Sequence, residues 1–383
     1  MFGKSIKLFT LLGFEVKIDL SWVVLAALIT WSLAAGVFPH YIKGLGEATY
    51  WWMGAVGTVG LFVSIVLHEL SHSLVARRFG LPMRGITLFI FGGVAEMEDE
   101  PPSAKAELLM ALAGPAASIV IGAACLALSR WGDSMAWPIE AIGVVGYLGY
   151  INLLLAAFNL IPAFPLDGGR VFRSILWGLK GNLRWATRIA SVVGSAFAFL
   201  LIFLGILNFI QGALISGIWW FVLGLFLNNA SQVSYRQVVT RRALEGEPVR
   251  RFMRADPVTV PPSISVEQLV EDYIYTHHYK MLPVLDGDRL LGCVTTRQVK
   301  DVPREEWPRR AVKELVQPCS QDNTVSPDTD ATKALGMMSR TGSSRLMVVE
   351  NGRLVGIIGL KDLLRFISLK VDLEDGAHRH RAA

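Results

Sequence analysis

Apolar residues in this chain come in long unbroken runs, and the runs stop near Tyr235. Six of them, over 20–38, 52–75, 106–129, 137–160, 186–209 and 213–229, are close to or above the length needed to cross a hydrocarbon core, which takes about 20 helical residues. Trp51, Trp52, Trp137, Trp185, Trp219 and Trp220 fall near the ends of these runs, where amphipathic rings prefer the membrane–water interface. The segment 80–100 breaks the pattern: it is β-prone, rich in glycine and too short to span as a helix. Strands cannot face lipid with unpaired backbone groups. A small sheet packed on or between the helices near the cytoplasmic face is therefore expected here.

After Tyr235 the chain turns polar and Pro-punctuated, and it repeats itself. Arg289-Leu290-Leu291-Gly292-Cys293-Val294 aligns with Arg353-Leu354-Val355-Gly356-Ile357-Ile358, and Met281-Leu282-Pro283-Val284-Leu285 aligns with Arg345-Leu346-Met347-Val348-Val349. Each unit reads as strand, helix, strand, strand, helix, and two such units pair to complete a shared core. The expected organisation is a membrane domain over 1–235, a linker over 236–248, repeats over 249–308 and 309–372, and a disordered basic tail over 373–383.

Composition agrees with a membrane class: 52% of residues are hydrophobic and 18% charged, too apolar for an ordinary soluble enzyme. The charges orient the spans. Lys4, Lys7 and Lys17 precede the first; Arg77, Arg78, Arg84 and Lys105 separate the second and third; Arg170, Arg173, Lys180 and Arg184 separate the fourth and fifth; Arg236, Arg241 and Arg242 follow the sixth. The opposite loops hold Lys43 and Arg130. This bias predicts a multi-pass protein of the cell membrane with both termini cytoplasmic. A net charge of +5 without a basic patch interleaved with aromatics gives no reason to expect a nucleic-acid partner. Cys125, Cys293 and Cys319 form no CxxC pair, which argues against a disulfide framework and a thiolate zinc site.

The second span contains Leu67-His68-Glu69-Leu70-Ser71-His72. Residues four apart share a helix face, so both imidazoles can reach one metal. Glu69 follows His68 and can act as general base on a metal-activated water. Zinc suits the set: imidazole nitrogen is a good ligand, and three protein donors leave a fourth position open. A glutamate in an apolar span costs on the order of 3 kcal/mol, which a purely packing role does not repay. The third donor must come from elsewhere. Asp167 is the only acid between Glu140 and Glu245 and follows the fourth span, on the same side as the histidines. Its alternative reading is an N-cap for a helix starting near Gly168.

HExxH in a membrane helix, followed by Asn159-Leu160-Ile161-Pro162-Ala163-Phe164-Pro165-Leu166-Asp167-Gly168-Gly169, resembles the site-2 protease family of intramembrane zinc metalloproteases. The C-terminal repeats resemble a cystathionine-β-synthase-type (CBS) pair. The resemblance implies a polytopic α-helical membrane protein with a small membrane-associated β-sheet and an α/β CBS tandem. It implies one zinc ion held by His68, His72 and Asp167, Glu69 as catalytic acid/base, and Asn159 as a residue that holds substrate or stabilises the oxyanion. It also implies that the strand at Gly92-Gly93 pairs with an unwound substrate segment. Ala113-Gly114-Pro115-Ala116-Ala117-Ser118 is similar to the family's Gly-Pro helix motif and is assigned packing only.

Substrates are then transmembrane proteins, such as membrane-tethered regulators, and membrane lipid surrounds the enzyme. CBS pairs take adenine nucleotides through a Gly-x-hydrophobic-Thr/Ser-x-x-Asp pattern, of which the first copy keeps Thr295 but has Gln298, and the second keeps Asp362 but has Gly359. A regulatory or homodimerising module is the simpler expectation. His277 and His278 are read as cleft or surface polar groups. The competing class is a CBS-regulated transporter or metal carrier, but the chain shows no inverted repeat of broken helices, and a carrier has no need of Glu69.

Overall fold

The computed structural model describes residues 5–81, 83–89, 92–97 and 100–379. These fall into two compact units, Met1–Arg236 and Gln237–Ala383.

Among the described residues, six helices are long and apolar enough to cross a membrane. They are α1 (Leu20–Tyr41), α2 (Glu47–Arg78), α3 (Ala104–Ser134), α4 (Ile139–Asn159), α6 (Leu183–Ile210) and α7 (Leu214–Leu244), and a shorter helix, α5 (Asp167–Lys180), separates α4 from α6. Large apolar side chains such as Val24, Phe199, Phe203 and Ile215 stay exposed, as expected where the solvent is lipid. Between helices the contacts are polar and small. Thr30 Oγ1 lies 2.9 Å from Thr58 Oγ1, joining α1 to α2. Asn152 Nδ2 of α4 donates to Ser64 Oγ of α2 at 2.9 Å. Ser231 Oγ of α7 donates to the Ser191 carbonyl of α6 at 3.1 Å. Lipid tails offer no hydrophobic drive for helix association, so such close polar contacts carry it.

The sheet is larger than 80–100 alone predicts. It has four strands in the order β1 (Ile6–Leu11), β2 (Phe14–Ile18), β3 (Met83–Phe89), β4 (Gly92–Met97). The first two form a hairpin through Leu12 and Gly13, both at positive φ, as a two-residue hairpin turn requires. Strand β2 then pairs in parallel with β3, and β3 antiparallel with β4. Phe14, Val16, Ile86 and Leu88 bury one sheet face against Val66 and Leu70 of α2. The sheet thus rests on the helix that carries HExxH, and β4 is a terminal strand of it.

Two further expectations need correction. Helix α7 continues through Leu244, so most of the expected linker at 236–248 is helical; no Gly or Pro interrupts it before Gly246. The expected structureless tail at 373–383 begins as helix, because Leu360–Arg379 is continuous; its residues 380–383 lie outside the described residues.

In the second unit each copy has its own core, one around Leu269, Leu282 and Val284, the other around Leu346, Val348 and Ile358. Met281, Cys293, Met347 and Ile357 form a third core shared by both. The copies also exchange strands. In the first copy β5 (Met281–Asp286) pairs with β6 (Arg289–Thr295), and β7 (Gln317–Pro318), from the start of the second repeat, pairs back onto β6. In the second, β8 (Thr324–Val325), β9 (Arg345–Glu350) and β10 (Arg353–Gly359) form a sheet, and Arg254, from the start of the first repeat, bridges to Ile357 of β10.

Gly292 and Gly356 occupy matching places in the repeat, and each lies under the exchanged backbone. A Cβ at Gly292 would meet the Gln317 carbonyl oxygen at 2.0 Å, and one at Gly356 would meet that of Arg254 at 2.7 Å. Gly292 also sits at φ +152°. Gly292→Ala is therefore expected to destabilise the C-terminal unit by about 2–3 kcal/mol, through strain and overpacking together. Faster proteolysis of the full chain after Gln237 would report it, and unchanged cleavage would contradict it.

Candidate metal centre

His68 and His72 lie one helical turn apart on α2 and are buried, at 3% and 6% exposure. Asp167 is the first residue of α5. The intended third donor thus begins a helix from inside its first turn; the N-cap position belongs to Leu166. What brings it there is the turn before it. The segment 160–166 is held by short-range bonds, Ala163 N to the Ile161 carbonyl and Leu166 N to that of Ala163. The first turn of α5 packs directly onto this backbone: a Cβ at Gly168 would lie 2.2 Å from the Leu160 oxygen, and one at Gly169 2.3 Å from Phe164 N. Only glycines allow that approach, which accounts for the two that follow Asp167.

The three side chains converge. Asp167 Oδ2 lies 3.1 Å from His68 Nε2 and 3.2 Å from His72 Nε2, and the two Nε2 atoms are 3.2 Å apart. The imidazoles are oriented from behind by α3. His72 Nδ1 donates to the Met110 carbonyl at 2.6 Å, because a carbonyl can only accept. In the neutral ring this leaves Nε2 as a bare lone pair aimed at the carboxylate. His68 Nδ1 lies 2.9 Å from Ser118 Oγ. Lone pairs pointing at one another across 3.2 Å need a cation between them. Donors about 2.0–2.2 Å from zinc in a tetrahedron are separated by about 3.3–3.6 Å, slightly more than the observed edges, so the donor set fits zinc in type, number and spacing.

Space for the ion depends on α3 as well. A Cβ at Gly114 would lie 2.2 Å from His72 Nε2 and 2.6 Å from His68 Nε2. Gly114 is the wall of the centre, and Pro115 follows it within the helix. Ser118 corrects the packing-only expectation: its hydroxyl contacts the His68 ring. Its polarity inside an apolar run was the available signal. The Met110 carbonyl has no such signal, since a backbone acceptor looks the same at every residue.

The remaining expected residues are placed as follows. Glu69 lies on α2 between the histidines, and Gly93 of β4 lies against it: a Cβ on Gly93 would meet Glu69 Cγ at 2.7 Å and Oε1 at 3.1 Å. Gly92 begins β4, opposite Phe89. Asn159 is the half-buried last residue of α4. In the C-terminal unit, Thr295 N and Oγ1 both donate to Gln298 Oε1, at 2.7 and 2.9 Å, in a capping box. Asp362 accepts from Arg254 Nη2 at 3.1 Å. Beside that ion pair, a cavity of about 30 Å³ is lined by Arg254, Tyr279 and Arg345 among others. The Arg345 guanidinium covers the Tyr279 ring at 3.9 Å. Neither Thr295 nor Asp362 lines it.

Comparison with known proteins places the chain in a family. The profile of peptidase family M50 matches residues 56–135 and 132–204, and that of the CBS domain matches 249–305 and 312–369. The chain is 35% identical to the Mycobacterium tuberculosis protein Rip3, named provisionally as a zinc metalloprotease, over 95% of this chain and 93% of that one. It is 32% identical to a zinc metalloprotease of Methanocaldococcus jannaschii over 97% and 99% of the two chains. A solved site-2 protease from Methanocaldococcus jannaschii is similar at 31% identity, covering 60% of this chain and 94% of that one, with a TM-score of 0.42.

Gly114→Ala is expected to abolish zinc binding while leaving the helices intact. Metal analysis of the purified protein alongside circular dichroism checks both halves; a variant that retains stoichiometric zinc would contradict the assignment of Gly114 as the wall of the centre.

Proposed function

The chain belongs to peptidase family M50, the site-2 proteases, and with that as premise we propose roles for its individual residues. The protein is a multi-pass intramembrane zinc metalloprotease with a CBS pair. Its substrates are transmembrane or membrane-proximal segments of other proteins. In our reading His68, His72 and Asp167 hold the zinc. When bound there, zinc supplies Lewis acidity and lowers the pKa of a coordinated water. Glu69 takes the proton from the attacking water and hands it to the leaving amine. Its place between the two histidines, with β4 against it, is the observation that carries this reading.

A peptide bond inside a helix is shielded by its own hydrogen bonds, so the substrate must be drawn out before it is cut. We assign that to β4. It is a terminal strand of its sheet, so an extended substrate segment can add to its edge through main-chain hydrogen bonds. Gly93 brings that edge within contact of Glu69. Asn159, at the end of α4 on the approach to Asp167, is assigned to holding the substrate carbonyl. Positive charge at the loop ends supports a cytoplasmic location for both termini and for the CBS pair.

The CBS pair is proposed to modulate the protease, with homodimerisation as its alternative role. The cavity of about 30 Å³ beside the Arg254–Asp362 pair is far smaller than a ligand pocket of about 300 Å³ or more, so a nucleotide that binds there requires Arg254 and Arg345 to move. Calorimetric titration of the full chain with ATP, ADP and AMP is expected to give heat with at least one. Silence with all three would leave dimerisation as the role of the pair.

For the protease itself, wild type and Glu69→Gln are purified in detergent, and both zinc content and cleavage of a model transmembrane substrate are measured. The variant is expected to keep its zinc and lose at least about 100-fold in rate, the scale of a general-base contribution. Full cleavage by Glu69→Gln would overturn the mechanism.

A further inference from the structure

Glu107 and Arg173 form a buried ion pair that the chemistry above does not use. Glu107, in the first turn of α3, is fully enclosed, and Arg173, on α5, is 4% exposed. Arg173 Nε donates to Glu107 Oε1 at 2.7 Å, and its Nη2 reaches the same oxygen. Nη2 also lies 3.4 Å from Glu100 Oε2, and the guanidinium covers the Phe164 ring at 5.0 Å. Arg170 Nε approaches Glu107 Oε1 to 4.0 Å. Glu107 Oε2 is buried without a hydrogen-bond partner.

As a source of stability this pairing is poor. Both nitrogens converge on one oxygen, the other is orphaned, and desolvating two charges offsets most of their attraction. Its position says more. Arg173 follows Asp167 by six residues on α5, and Glu107 precedes Met110 by three on α3. Helix α3 supplies the Met110 carbonyl and the Ser118 hydroxyl that orient the two histidines, and Gly114 that leaves room for the ion. The ion pair therefore joins the helix that brings the third donor to the helix that aims the other two.

We propose that Glu107 and Arg173 are positioning residues for the metal, and that they set its affinity by fixing the register of α5 on α3. The proposal rests on the reading that His68, His72 and Asp167 hold zinc. Sliding α5 by a single residue moves Asp167 about 1.5 Å along the axis, whereas ligand distances in a metal site tolerate only about 0.2 Å. A charged pair of fixed geometry specifies that register; apolar side chains of the same volume fill the space without specifying it.

The test is the double replacement Glu107→Leu/Arg173→Met in the full-length protein, with zinc affinity measured by competition against a chelator and apo-protein melting measured in parallel. The expected result is a melting temperature at or above that of wild type, with zinc affinity lowered by about 10- to 100-fold, the scale of outer-shell changes at metal sites. Cobalt substituted for zinc is expected to show an altered visible spectrum, because the Asp167 carboxylate no longer sits in place. Arg173→Lys keeps the charge but not the fork, and an intermediate affinity is expected; it also serves if the double variant does not fold. Wild-type zinc affinity in either variant overturns the proposal. So does an affinity loss no greater than that of Thr58→Val, a buried change remote from the metal, at matched melting temperature. His68→Ala belongs in the same series: if it binds zinc as wild type does, the metal reading itself has failed, separately from the positioning role.

Discussion

The carboxylate that completes the candidate metal centre does not belong to the helix that carries its two histidines, and the packing around the centre answers to that constraint. His68 and His72 are brought together by helical periodicity alone. Asp167 arrives about a hundred residues later, and to serve a metal its carboxylate must be held to a few tenths of an ångström. Three local devices meet this demand. Glycines 168 and 169 let α5 start flush against the preceding backbone. Helix α3 comes close enough, at Gly114, to form the wall of the centre. The carbonyl of Met110 and the hydroxyl of Ser118 turn the imidazoles toward the incoming carboxylate.

How much of this was legible in the sequence depends on how local each signal was. The i, i+4 histidines and the six apolar runs are short-range patterns, and they read through directly. Asp167 stood out because it is a lone acid beside two prolines and two glycines. The hairpin formed by β1 and β2 did not stand out: its strands are short, lie before the first span, and pair with a segment some seventy residues away. The extension of α7 lacks a signal for a different reason. Hydropathy marks where a span leaves the membrane, not where its helix ends. The tail follows the same rule: charged residues favour solvent but do not end a helix.

In the C-terminal unit the repeat was visible, but the strand exchange was not. Gly292 and Gly356 aligned as equivalent residues without revealing what passes over them. Each copy completes the other's sheet, so neither half is a finished unit alone. The departures from the nucleotide pattern also acquired physical meaning. Gln298 occupies Thr295 within a helix cap, and Asp362 is engaged by Arg254. The residues that would greet a ligand already have partners within the chain.

Strand β4 sits at the border of its sheet with Gly93 against Glu69, and the substrate-binding role proposed for it has a consequence for what such an enzyme would distinguish. A border of this kind grips main-chain atoms, which every peptide shares, so it reads little of the side-chain identity. In that proposed role, choice among substrates would shift from recognition to deformability. A membrane segment weakened by glycine, proline or polar residues surrenders its helix at small cost, while a leucine-rich one resists. Selection of this sort is written in the mechanical softness of the target rather than in a consensus around the cut, and two substrates without a residue in common can be equally good.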